Sequence, residues 1–303
     1  MFPIIRVDSR RVELLEQLGT KRKFWYRADD GTRMLFKAEE RGTGEDWAEK
    51  VACELCTLLG LPHVHYELAH DEPADVPGVV CATCAPPPWA LGLGNQLLLE
   101  RDPAYPEGSK YKVRGHTVDA VASVVRDLQM PPAAYCAALP PGIDSALAVF
   151  AGYVLLDAWI ANQDRHHENW GALRDPSGLY LAPTFDHGAS LARNVLDTEK
   201  KERLESRDRN QRIPIFVRRA RSAFYADPQQ AKPMTTVAAW QAFAQLVPSA
   251  GKIWLDKVHA VSRAAIETII TQVPPSRMSS VCREFTLEML QENQNRLVTG
   301  EIE

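Results

Sequence analysis

Three oxygen-bearing side chains near the middle of this chain are spaced in a way that few folds can use. Asp164 and Asn169 lie in the run Asn162-Gln163-Asp164-Arg165-His166-His167-Glu168-Asn169, and Asp186 follows in Phe185-Asp186-His187-Gly188, after a predicted strand over Gly178 to Ala182. The three converge only if that strand carries the chain back past the first loop. The loop itself hangs from a predicted helix, Asp144 to Ile160, whose apolar residues include Leu147, Phe150, Val154 and Trp159.

Upstream, the first hundred residues read as short strands around one helix. Arg11 to Gln17 and Lys23 to Ala28 flank a turn at Gly19, and Asp29-Asp30-Gly31 turns into the strand Met34-Leu35-Phe36-Lys37. Gly44-Glu45-Asp46 opens a helix with Trp47, Val51, Leu55, Leu58 and Leu59 at helical spacing, and Gly60 and Pro62 stop it. Further strands are expected at Gly78 to Ala85 and Gln96 to Glu100. The turn-rich run from Arg101 to Ser109 marks a junction, beyond which helical patterns dominate at Val118 to Leu128, Thr236 to Leu246, Ile253 to Ile270 and Ser279 to Leu297. The expectation is an α+β chain with a small β-rich amino lobe, residues 1–100, and a larger helical carboxy lobe, residues 101–303.

Composition removes several classes. A 45% hydrophobic content supports a real core, and a net charge of −4 argues against a protein whose main contact is a nucleic-acid backbone. The opening residues lack the apolar core of a secretion signal, and no apolar run is long enough to span a membrane, so a soluble cytoplasmic protein is expected. Six cysteines are then read as reduced thiols. Cys53-x-x-Cys56 with Cys81-x-x-Cys84 imitates a four-cysteine zinc site, but one pair falls in a helix and the other in a strand, so these are read as core residues.

Phosphoryl transfer needs a carboxylate for the nucleophile's proton and oxygen ligands that hold magnesium against the phosphates. Asp164 fits the first role, and Asn169 with Asp186 fits the second. An Asp-x-x-x-x-Asn loop followed, after a strand, by Asp-x-Gly is the arrangement of protein kinases. Such a site also needs a lysine for the α- and β-phosphates, steadied by a helix glutamate. Lys37 ends a strand, and Glu49 lies early in the next helix, facing the sheet; Glu54 lies later, on the side expected to face solvent.

At these residues the chain resembles the HipA-like serine/threonine kinase family, in which a loop of the form Asn-x-Asp-Arg-His-x-x-Asn follows a helix rich in aromatic and aliphatic residues. Asn162 to Asn169 carries the match, preceded by Leu155-Leu156-Asp157-Ala158-Trp159-Ile160. Leu181 to Ser190 and Gly44 to Glu49 are also similar. The resemblance implies a bilobal protein-kinase-like fold, ATP and Mg2+ as cofactors, and the family's roles on Lys37, Asp164, Asn169 and Asp186. It further implies a protein substrate and an antitoxin-type protein partner, with no direct contact to nucleic acid or membrane.

Longer members of that family carry an extra amino-terminal subdomain, whereas this chain begins almost directly with the nucleotide-binding lobe. Gly19-Thr20-Lys21 is the turn suited to cover the phosphates, and the backbone of Leu99, Glu100 and Arg101 is expected to meet adenine. His166 is expected to shape its loop by hydrogen bonding, with His167 and His187 open to the same role or to a peripheral one. The basic run from Lys200 to Arg221 stands where a docking segment or a solvated loop would lie. A phosphoinositide or other small-molecule kinase, a nucleotide-binding pseudokinase and a metallohydrolase built on Asp164, His166, His167, Asp186 and His187 are the competing readings.

Overall fold

Alternation of buried and exposed residues builds the first sheet, seen in a computed structural model that describes residues 1–15, 22–39, 42–109 and 111–300. Its strands are β1 (Ile4–Val7), β2 (Val12–Leu15), β3 (Lys23–Arg27) and β4 (Arg33–Ala38), and the chain then enters α1 (Glu45–Leu59) before β5 (Tyr66–Asp71) and β6 (Val76–Ala82). Among the described residues the order is β1-β5-β6-β4-β3-β2, with β1 parallel to β5 and the other neighbours antiparallel. Phe24, Tyr26, Phe36 and Ala38 bury one face with Val7, Ala69 and Val80. Successive strand residues point to opposite faces, so Lys37, next to Phe36, lies on the other face, where α1 packs on β5 and β6.

α1 buries Trp47, Val51, Leu55 and Leu59, and it stops at Gly60, whose φ of 75° is left-handed and whose amide caps the helix through Cys56 and Thr57 carbonyls. A side chain at Gly60 would also strike the Ala138 carbonyl oxygen, 2.1 Å from an added Cβ.

The chain continues through β7 (Ala90–Leu93) directly into α2 (Gly94–Arg101), then α3 (Val118–Arg126) and α4 (Ala146–Trp159). The strand expected at Gln96 to Glu100 is therefore a helix. Three consecutive leucines carry no period that separates strand from helix, and the Gln96 side chain accepts the Leu93 amide at 3.1 Å to start the first turn. Every residue of α4 is buried, the signature of a helix surrounded on all sides. It packs on α3, α7 (Thr236–Leu246), α8 (Pro248–Ala260) and α10 (Ser280–Thr299). Asn293 donates to the Trp159 carbonyl at 2.9 Å, which satisfies the carboxy end of α4 where the polar loop begins.

After that loop, β8 (Gly171–Asp175) and β9 (Gly178–Leu181) pair antiparallel, and β7 completes a three-stranded sheet. The basic run forms α5 (Asp197–Glu205) and α6 (Ile213–Arg218) rather than a loop. The single helix expected from Ile253 to Ile270 is two, α8 and α9 (Arg263–Gln272), because the chain turns out of α8 at Val261 and Ser262 caps a new start by accepting the Ala265 amide at 3.2 Å. No helix among the described residues is long and apolar enough to cross a membrane.

Candidate active site

Lys37, Glu49 and Asp186 come together between the sheet, α1 and the turn after β9. Lys37 Nζ lies 3.2 Å from Glu49 Oε2 and 2.5 Å from Asp186 Oδ1. The Glu49 carboxylate also accepts the His187 amide at 2.7 Å through Oε1 and the Gly188 amide at 3.1 Å through Oε2. Burial works against charge on all three side chains. The opposite charges win: Lys37 holds its proton more tightly than usual beside the two carboxylates, and Asp186 and Glu49 are held below the ordinary carboxylate range by the Lys37 ammonium. Asp186 itself stands at φ 59°, a left-handed conformation that costs a non-glycine residue free energy and recurs at functional turns. Glu54 instead pairs with Lys50 at 2.7 Å, away from this cluster.

Arg165 brings the two motifs to one place. It is buried, and it pairs with Asp157 of α4 through two bonds, Nε to Oδ2 at 2.7 Å and Nη2 to Oδ1 at 2.8 Å. Its remaining nitrogen, Nη1, donates to the carbonyls of Asn169 at 2.7 Å and Phe185 at 3.4 Å. One guanidinium thus fastens the end of the Asp164 loop to the residue before Asp186. Asn162 donates to Asp157 at 2.8 Å and accepts the Asp164 amide at 3.1 Å. Asn169 Nδ2 donates to the Asp164 carbonyl at 2.6 Å, which leaves its oxygen as the atom able to ligate a cation.

Asp164 is partly exposed and borders a cavity of about 390 Å³ lined also by Tyr111, His116, His166, Ser222 and Tyr225. His166 Nδ1 accepts the Glu168 amide at 3.1 Å, so it does shape the loop. His167 and His187 are buried rather than peripheral. Tyr105 meets His167 Nδ1 at 2.8 Å, and Thr184 meets His187 Nε2 at 2.8 Å. These bonds tie the two rings into the fold, and the oxygens of Asn169 and Asp186 remain as the donor set suited to a hard cation.

Gly19 and Thr20 lie outside the described residues. Leu99, Glu100 and Arg101 lie on α2, where main-chain groups bond within the helix, as the Asp102 amide does to the Leu98 carbonyl at 2.8 Å. The Glu100 side chain pairs with Arg174 and that of Arg101 with Asp127. Asp157 and Arg165 escaped the sequence reading because their pairing crosses from a helix to a loop.

No protein-family model matches the chain, and no curated protein matches it. Solved structures do. A proinflammatory kinase of Helicobacter pylori, CtkA, superposes with a TM-score of 0.73 at 19% identity, covering 98% of this chain and 96% of that one. HipA of Shewanella oneidensis MR-1, from a toxin–antitoxin complex with HipB and operator DNA, superposes with a TM-score of 0.57 at 13% identity, covering 93% of this chain and 64% of HipA. The six-stranded sheet, the helix carrying Glu49 and the helical carboxy-terminal block therefore make up a bilobal, HipA-like kinase fold.

Proposed function

We propose that the protein is an ATP-dependent, magnesium-requiring phosphotransferase acting as a HipA-like protein serine/threonine kinase. The observation that carries this reading is the contact of Lys37 with both Glu49 and Asp186, while Arg165 holds Asn169 beside the same turn. Asn169 and Asp186 would hold Mg2+, which supplies charge neutralisation for the phosphates. Lys37 exchanges part of its carboxylate contact for the α- and β-phosphates, and Glu49 keeps it aimed. Asp164 accepts the proton of the attacking hydroxyl. The chain leaves β6 through Thr83, Cys84 and Ala85 alongside β4, and this segment, rather than Leu99 to Arg101, is assigned to adenine.

The cavity beside Asp164 is within the size range of small-molecule sites, which favours a phosphoinositide or other small alcohol as the second reading for the acceptor. A protein partner comparable to HipB, and a cytoplasmic setting that supplies ATP, belong to the same proposal. The test is transfer of labelled γ-phosphate from ATP to extract proteins, to soluble alcohols and to phosphoinositide vesicles, each with Mg2+ and with excess chelator. Magnesium-dependent label on serine or threonine supports the protein kinase, and label on a small alcohol or lipid supports the second reading. Absence of transfer with ATP binding intact overturns both and leaves a nucleotide-binding pseudokinase.

A further inference from the structure

Away from the Lys37 cluster, Cys53 of α1 meets His63 and His65 of the segment that leads into β5. Each of the three side chains brings a ligand atom within 4.8 Å of the other two. We propose that they form a binding site for a divalent metal of the zinc class, which clamps α1 to the start of β5.

The donor set is one thiolate and two imidazoles, a combination that suits zinc and not magnesium or calcium. The surrounding bonds orient every ligand. His63 Nδ1 donates to the Leu61 carbonyl at 2.7 Å, so its lone pair is on Nε2. His65 Nε2 donates to Glu67 Oε1 at 2.7 Å, so its lone pair is on Nδ1, which faces Cys53 Sγ at 3.6 Å. That separation is close to what two ligands on one tetrahedral ion require, given bonds of about 2.3 Å to sulfur and about 2.0 Å to nitrogen. A carbonyl behind one imidazole and a carboxylate behind the other are the outer contacts that metal-bound histidines make. Burial pushes the Cys53 thiol up to about 12, against the Tyr66 amide that donates to its Sγ at 3.3 Å, so the cation itself supplies the charge that deprotonates the thiol on binding.

Without metal, His63 Nε2 has the Thr57 hydroxyl at 3.3 Å as its partner, a hydroxyl that also lies 3.2 Å from the Cys53 carbonyl, its acceptor within α1. Cys53 is buried while the His65 side chain is 60% exposed, so an ion reaches the site from the His65 side and water completes its coordination there. The position gives the site a consequence. Cys53 is one helical turn beyond Glu49, and His63 forms a β-bridge to Thr184, close before Asp186. A bound ion would therefore hold both partners of Lys37 in place, a consequence that rests on the phosphotransfer reading although the site itself does not.

The test uses the full chain, stripped with chelator and titrated with Co2+ and then Zn2+. One Co2+ per chain with a thiolate-to-cobalt charge-transfer band, displaced by Zn2+, and a thermal midpoint raised by several degrees are expected. Because His65 is exposed, His65→Ala should fold normally without metal, yet lose the band and weaken Co2+ binding by at least about 100-fold. Glu67→Gln should weaken it by about 10-fold through the His65 orientation. Cys53→Ser should abolish the band. The proposal is overturned if the wild-type chain shows no charge-transfer band at stoichiometric Co2+, or if the band survives in His65→Ala. Cobalt bound by oxygen ligands near Asp186 gives no thiolate band, so failure here and failure of phosphotransfer are read separately.

Discussion

The backbone amide of His187 donates to Glu49 Oε1 at 2.7 Å, so α1 and the turn after Asp186 are joined directly and not only through Lys37. Moving the helix outward would break this bond, the neighbouring Gly188 contact and the lysine pair together. Glu49 therefore couples the position of α1 to that of the turn carrying Asp186. Glu49→Gln keeps one acceptor but removes the charge. It should lower kcat for phosphotransfer by about 10-fold or more, equivalent to about 1.4 kcal/mol of transition-state stabilisation. Steady-state kinetics at saturating ATP measures this, and unchanged kcat would contradict the coupling.

Lys37→Met removes the cation proposed to meet the phosphates and leaves Glu49 and Asp186 facing each other. ATP affinity measured by calorimetry with Mg2+ should fall, together with turnover. Retention of both would reject the assignment of Lys37.

The same cluster sets a pH dependence. Asp186 and Glu49 have folded-state values below their ordinary 3.8 and 4.5, so the unfolded chain binds protons that the folded chain does not. Their contribution is present above about pH 5 and is lost as pH falls through the folded-state values. Lys37 has the opposite sign: its value is raised above 10.5, so its contribution is complete below that pH and declines only in stronger alkali. Thermal midpoints should fall on acidification below about pH 5 in the wild type. In Lys37→Met that fall should be shallower, since the two carboxylates no longer gain from ionising. An identical acid slope in both proteins would count against the linkage.

Asp164 and Asp186 should separate in their effects. A carboxylate that accepts the hydroxyl proton acts as that proton moves, so Asp164→Asn should lower kcat by roughly 100-fold while leaving ATP affinity nearly intact. Asp186→Asn should cost magnesium-dependent ATP binding as well, because in the proposed function its charge belongs to a metal ligand. Equal loss of nucleotide in both variants would show that these roles are misassigned.

Asp157 and Arg165 give a prediction about stability. Both side chains are almost fully buried, and removing one partner of such a pair strands the other charge. Asp157→Ala should destabilise the fold by about 3–5 kcal/mol, measured by denaturant unfolding. Replacing both with apolar residues should recover much of that loss but not activity, because the Arg165 bonds to Asn169 and Phe185 would still be missing.

Asp164, Asn169 and Asp186 stood out in the linear chain because metal and proton chemistry restrict residue type at short spacing, and the pairing of Lys37 with Glu49 followed from the faces of a strand and a helix. The lobes were legible for a similar reason, since β3 and β4 alternate and α7 repeats at helical spacing, both local properties. Leu97-Leu98-Leu99 carried no such period, so only the capping of α2 on the end of β7 decided its conformation. Val261 and Ser262 broke the predicted long helix through a cap that propensity does not reveal. The Arg165 clamp on Asn169 and Phe185, and the meeting of Cys53 with His63 and His65, depend on contacts between segments that approach only after packing. Local periodicity and motif chemistry thus determined the parts and their order. Their convergence was decided by tertiary structure, because burying Arg165, Asp157 and Glu49 is tolerable only where partners from other elements satisfy their charges.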